Sequence, residues 1–218
     1  MTTAQTRKQQ ERQARRRRIQ RAAREVFAEK GYARTSIEQV AKQAGLSVGA
    51  IYLYFRSKED LYVSLLEETF EVFEAEMKQL RNRTDIGPAD RVRGAWLFLT
   101  QWAVSDVEGT RTLRMLSQPS VKKQLTPEVT EATQRGITAL RSGLAGLIAD
   151  AVRSGQYRSA DAEPTADMLW ALFLGLLEAN DVRLNLELSA PGFTESARSA
   201  LAVFEGSVRA SSHIAEAA

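Results

Sequence analysis

Between Thr35 and Lys58 the chain reads TSIEQVAKQAGLSVGAIYLYFRSK, a pattern that leaves little choice of local structure. Ser36 is placed to cap a helix, and Gln39 three residues on completes a capping box. Ile37, Val40, Ala41 and Ala44 then recur at i, i+3, i+4 and i+7, one apolar face of a 3.6-residue period. Gly45 follows at once, where a helix ends best on a residue that tolerates a left-handed backbone. Leu46 is expected to plug the turn and Ser47 to cap a second helix over Val48 to Phe55, anchored by Ile51 and Phe55. Two helices around a short Gly-containing turn make a helix-turn-helix. An ordinary helical hairpin in a core would share this spacing.

Charge weighs on that choice. The first 60 residues hold 14 Lys and Arg against six Asp and Glu, a net +8, whereas the whole chain carries a formal net charge of only +3. A basic N-terminal third on an acidic remainder is the footprint of a phosphate-binding module joined to something else. The densest basic run, Arg15, Arg16, Arg17 and Arg18, abuts the two-helix unit, so it is expected to meet DNA phosphates or the minor groove. As a plain charge run it would be a solvated face.

The segments IQRAAREVFAEKGY (residues 19–32), Thr35-Ser36, AKQAGLS (41–47) and GAIYLYFRSKEDL (49–61) fall in order at the spacing of a known DNA-binding domain. This stretch resembles the TetR/AcrR transcriptional regulators over about residues 15–65. The resemblance implies a three-helix DNA-binding domain followed by a larger helical domain that dimerises and binds a small-molecule effector. It implies that Thr35 and Ser36 hold a backbone phosphate, and that Val48, Gly49 and Ala50 form the groove-facing start of the recognition helix behind Ser47. Tyr52 and Tyr54 would contact phosphate or sugar, and Lys58 would pin a phosphate. Val48 stands where Lys is frequent in such proteins and Tyr54 where His is frequent. The head of this helix therefore has no bidentate base-reading side chain, and Val48 suits a thymine methyl.

Phe27, Tyr32 and Phe55 are expected in the core of the three-helix unit. Beyond it the pattern stays helical: one amphipathic stretch over 59–81, a break near Gly87-Pro88, helices over about 90–105 and 107–118, and a stop at Pro119. Thr126-Pro127 caps a helix running to Gly155, and further helices cover about 163–188 and 194–211. No alternating strand pattern occurs, so the fold class is all-α. The expected organisation is a basic arm over 1–14, a helix-turn-helix domain over 15–62, an effector-binding and dimerisation body over 63–211, and a flexible tail over 212–218.

Leu169 to Leu177 is apolar all round, so that helix needs a second partner besides its own body. Leu172 and Leu176, with Leu201, Phe204 and Val208 of the last helix, are expected to form a homodimer interface, which would let two recognition helices read a palindrome. The competing reading is a monomer with this helix deep in its core. Trp96, Leu99, Trp102, Met115, Trp170 and Phe173 are large apolar residues available to line an effector cavity. They point to a hydrophobic effector.

Catalytic readings find no support. There is no Cys and one His, His213, so Cys–His and Ser–His–Asp sites are not expected, nor a metal site or a cofactor. The basic N-terminus precedes no apolar run and no segment is long enough to span a bilayer, so a cytoplasmic protein is expected. The partners expected are double-stranded DNA, a small-molecule effector and a second copy. A different class also fits the charge split: a nonspecific binder of nucleic acid or anionic membrane through its basic arm.

Overall fold

Three prolines stand at the first positions of helices, where the missing N–H costs nothing: Pro88, Pro119 and Pro127. The computed structural model describes residues 3–158 and 161–209. Eleven helices are seen among them: α1 (Thr3–Arg34), α2 (Ile37–Ala44), α3 (Val48–Tyr52), α4 (Lys58–Ser64), α5 (Leu66–Asn82), α6 (Pro88–Ser105), α7 (Val107–Met115), α8 (Pro119–Lys122), α9 (Pro127–Arg153), α10 (Ala162–Asn185) and α11 (Phe193–Val208). The one extended pairing among the described residues is an isolated bridge, Tyr157–Arg209. The fold is all-α. Met1 and Thr2 of the expected arm, Ala210 and Ser211 of the expected last helix, and the 212–218 tail with His213 lie outside the described residues.

Several boundaries differ from the pattern for identifiable reasons. Residues 3–14 belong to α1, which Gly31 interrupts at φ 74° and ψ 160°, a region open to glycine. The 59–81 stretch is two helices, broken at Leu65. Pro119 opens α8 rather than ending α7, which has already stopped at Met115. The helix expected over Val48 to Phe55 ends at Tyr52, and the Tyr54 N–H and Phe55 N–H both bond the Ile51 carbonyl beyond it.

The chain forms two compact units, one of residues 1–69 and 108–135, the other of residues 70–107 and 136–218. A division at 62/63 therefore omits α8, nearly all of α7 and the first turns of α9 from the N-terminal unit. Its main core joins Ile19, Ala23, Val26 and Phe27 of α1 to Ile37, Val40 and Ala41 of α2, Ile51 of α3, and Phe55, Leu61, Tyr62 and Leu65. A second cluster of Val63, Val121 and Val129 ties in the 108–135 segment.

Polar contacts reinforce that tie. The fully buried Asp60 carboxylate accepts from the Arg56 N–H (2.9 Å), the Thr126 N–H (2.8 Å) and the Thr126 hydroxyl (3.0 Å). Three donors on one buried carboxylate satisfy a charge that would otherwise be expensive to bury. The Tyr62 hydroxyl donates to Glu108 Oε2 at 2.7 Å. Desolvation, then the Glu108 carboxylate, pushes that phenol well above its ordinary pKa.

In the second unit α5 and α9 pack closely because α9 offers no side chain at the contact. A Cβ on Gly136 would lie 2.3 Å from the Phe70 ring, and one on Gly143 would lie 2.9 Å from Met77. Arg93 of α6 holds Glu205 of α11 through two hydrogen bonds of 2.9 and 2.8 Å. Burial works to raise the Glu205 pKa, but Arg93 and Arg209 outweigh it and hold the carboxyl below its usual range. Phe73 meets Trp102 edge-on at 4.9 Å, and Phe173 stacks on Trp170 at 5.5 Å. The core aromatics thus adopt the offset and edge-on geometries that ring quadrupoles favour.

Candidate nucleic-acid interface and ligand groove

The helix-turn-helix is built as its residues dictate. Ser36 Oγ accepts the Gln39 N–H at 3.4 Å and Gln39 Oε1 accepts the Ser36 N–H at 3.1 Å, a complete capping box. Ile37, Val40, Ala41 and Ala44 are all buried. Gly45 sits at φ 62° and ψ 41°, so the chain reverses there without Cβ strain. Ser47 Oγ caps α3 by accepting the Ala50 N–H at 3.2 Å. Ile51 and Phe55 are 0% and 1% exposed, which fixes the orientation of the short helix. The opposite side is left open: Ser47, Gly49, Tyr52 and Leu53 are exposed, and Val48 and Ala50 half-buried. Tyr54 is half-buried against the core, with the Arg12 guanidinium 5.9 Å from its ring centre.

The helical geometry of α1 separates the four consecutive arginines. Arg15, Arg17 and Arg18 are exposed, and the Arg18 guanidinium lies against the Gly45 turn, 2.8 Å from where a Cβ there would stand. Arg16 is 6% exposed. It forms a two-pronged pair with Glu67, approaches Glu128 at 3.6 Å and lies 5.1 Å from the Phe55 ring centre. Desolvation works to lower the Arg16 pKa, but the carboxylates of Glu67, Glu128 and Asp60 raise it above its usual value. Arg16 is therefore held as a structural cation, and of the four arginines it is the one whose guanidinium is not presented to solvent.

Two other expected phosphate ligands are turned inward. Thr35 is 3% exposed and its hydroxyl donates to the Gly31 carbonyl at 2.9 Å. The Lys58 ammonium donates to the Tyr32 carbonyl (3.0 Å) and the Thr35 carbonyl (3.2 Å) and sits 4.2 Å from the Tyr32 ring centre. At most one of its three protons is left for a phosphate. Both residues brace the corner between α1 and α2. Arg12, Asp60 and Glu67 are the structural partners that the pattern missed. Asp60 carried a faint signal, a carboxylate three residues after the cap Ser57.

In the second unit a groove of about 660 Å³ runs along α6 and α11, lined by Trp96, Leu97, Trp102, Val104, Arg198 and Leu201 among others. Of the residues expected to line an effector cavity, Trp96 and Trp102 lie in the lining of this groove. Leu99 and Phe173 are fully buried and Trp170 nearly so, and none of them reaches the groove. Met115 belongs to the N-terminal unit, between its two apolar clusters. The exposed Leu97 and Val104, and Val72 of α5, complete the apolar wall.

The expected dimer residues divide as well. Leu201, Phe204 and Val208 are 9%, 3% and 7% exposed, packed inside their own unit, so they do not form an outer face. Leu172 and Leu176 are half-buried. The exposed apolar faces are instead Met168, Ala171, Gly175, Ala179 and Val182 on α10, with Ala202, Val203 and Gly206 on α11. No helix among the described residues is long and apolar enough to cross a membrane.

Residues 19–65 match the family described as bacterial regulatory proteins, tetR family. The chain is 28% identical over 172 residues to the HTH-type transcriptional regulator TtgR of Pseudomonas putida, a match covering 78% of this chain and 82% of TtgR. It is also 28% identical over 137 residues to the fatty acid metabolism regulator protein of Bacillus subtilis, covering 63% and 68% of the two chains. The solved complex of SmeT, from Stenotrophomonas maltophilia, with triclosan superposes with a TM-score of 0.67 at 25% identity, over 91% of this chain and 93% of that one. The chain thus carries a tetR-family domain over residues 19–65, the segment that holds the capped helix-turn-helix, and its whole helical fold is similar to that of SmeT.

Proposed function

We propose that this chain is a homodimeric operator-binding repressor of the cytoplasm that a small hydrophobic effector releases from DNA. The observation that carries the reading is the open side of α3, held outward by Ile51 and Phe55 on the basic unit. Ser36, Ser47, Val48, Gly49, Ala50, Tyr52 and Tyr54 face or flank the groove in this reading, and Arg15, Arg17 and Arg18 hold phosphates beside it. The small residues at the head of α3 leave sequence choice to methyl contacts and DNA shape.

The exposed apolar faces of α10 and α11 pair with those of a second copy, which takes Met168, Val182 and Val203 out of water. The groove along α6 takes the effector, a reading supported by the structurally similar SmeT having been solved in complex with a small molecule, triclosan. A differential affinity of about 1–3 kcal/mol between DNA-competent and incompetent conformers suffices to change operator occupancy severalfold.

Footprinting on the DNA upstream of this protein's own gene tests the proposal. A protected palindrome that survives excess competitor DNA is expected. Equal binding to any duplex, lost when residues 1–18 are deleted, would instead establish a nonspecific binder acting through its basic N-terminus.

A further inference from the structure

The groove along α6 is apolar except for a few polar groups, and these are not equivalent. The Thr100 hydroxyl is committed to the Trp96 and Leu97 carbonyls, and the Ser105 hydroxyl to the Trp102 carbonyl. Arg198 is the one charged side chain in the lining among the described residues. The other cations of this region are engaged: Arg93 pairs with Asp90 and Glu205, and Arg209 with Glu205. Arg198 forms no ion pair among the described residues, although Glu195 stands one turn away on the same helix.

Arg198 is exposed, so its guanidinium is held by water alone at one side of a tryptophan- and leucine-lined groove, and the ligand that uses both features has an apolar body and a single anionic head. Guanidinium holds a carboxylate through two parallel hydrogen bonds, while Leu97, Trp102 and Val104 shed water around the body. We propose that the effector is an anionic amphiphile whose head is read by Arg198. This rests on the groove being the effector site, and it adds the charge of the ligand and the residue that selects it. The neutral alternatives fill the same volume but leave Arg198 to water and gain nothing from it.

The test uses the intact protein with dodecanoate and dodecanol, below their aggregation concentrations, monitored by quenching of tryptophan fluorescence. Dodecanoate is expected to bind about tenfold or more tighter than dodecanol, the ratio given by one charge-assisted contact. Arg198→Gln removes that preference and leaves dodecanol affinity unchanged, and Leu97→Glu, an exposed substitution, abolishes both. Equal binding of the two probes to the unaltered protein, or a preference that survives Arg198→Gln, overturns the assignment. So does failure of both probes together with a Leu97→Glu protein that turns monomeric, since a second copy then covers the groove. The parent reading fails separately: selective dodecanoate binding that leaves operator affinity untouched would keep Arg198 as the anion reader and refute effector-driven release.

Discussion

Arg16→Ala separates the two roles that a run of four arginines could play. In the structure Arg16 is buried and holds Glu67 by two hydrogen bonds, so truncation strands a carboxylate. Breaking a buried pair from one side costs about 3–5 kcal/mol. The lower end applies here, because Glu67 is 21% exposed at its side chain and keeps Gln20 Nε2 at 3.3 Å. About 3 kcal/mol in a chain of this size lowers Tm by roughly 6–12 °C. Its neighbour Arg17 is exposed, so Arg17→Ala changes stability by less than about 0.5 kcal/mol. With Arg17 on a phosphate as proposed, that same substitution reduces the salt slope of operator binding by about 0.9. Circular dichroism melts and anisotropy titrations of labelled operator across a salt series measure both quantities. If Arg16→Ala keeps its Tm and loses salt-dependent affinity as Arg17→Ala does, Arg16 is a DNA ligand and the burial argument is wrong.

Other outcomes follow from single contacts. Gly136→Ala forces a methyl into the Phe70 ring and should destabilise the second unit by about 1–3 kcal/mol, read in urea melts. Tyr157 carries a buried hydroxyl without a hydrogen-bond partner among the described residues, and burial pushes its pKa up to about 12. Tyr157→Phe should therefore be neutral or stabilising by up to about 1 kcal/mol in the same melts. Glu205 has a folded pKa below its unfolded value, so its contribution is complete above the ordinary carboxylate range and is lost as pH falls through the folded value. The acid-side decline in Tm should be shallower in Glu205→Gln, and an unchanged decline would dissociate the Arg93 pair from acid sensitivity.

How much of this is legible in the sequence depends on whether the signal is local. Ser36, Gln39, Gly45 and Ser47 act within four residues of themselves, and the structure gives each the cap or turn expected of it. The i, i+3, i+4, i+7 stripe of α2 is buried residue for residue. Contacts from distant parts of the chain leave no such mark. Nothing near Arg16 announces Glu67 or Glu128, so it reads as one more exposed arginine. Thr35 and Lys58 look free because their acceptors are backbone carbonyls, which every sequence has everywhere. Leu201, Phe204 and Val208 form a clear stripe, but a stripe says that a helix buries one face and not whether its own chain or another covers it. Trp96 and Trp102 reach the groove whereas Leu99 and Phe173 do not, a difference of helix rotation that large apolar residue types do not encode.

The Asp60 carboxylate has a consequence for how such regulators can be cut and recombined. Its partner Thr126 lies 66 residues downstream, and Val63 packs on Val121 and Val129. A fragment ending near residue 65 would carry the whole helix-turn-helix, yet leave a buried carboxylate half-satisfied and an apolar patch wet. Grafting this DNA-reading head onto another effector body therefore requires transplanting 108–135 along with it. The unit of exchange is a discontinuous piece of chain, and chimeras spliced at a single point after α4 should bind DNA poorly through instability rather than through any loss of recognition.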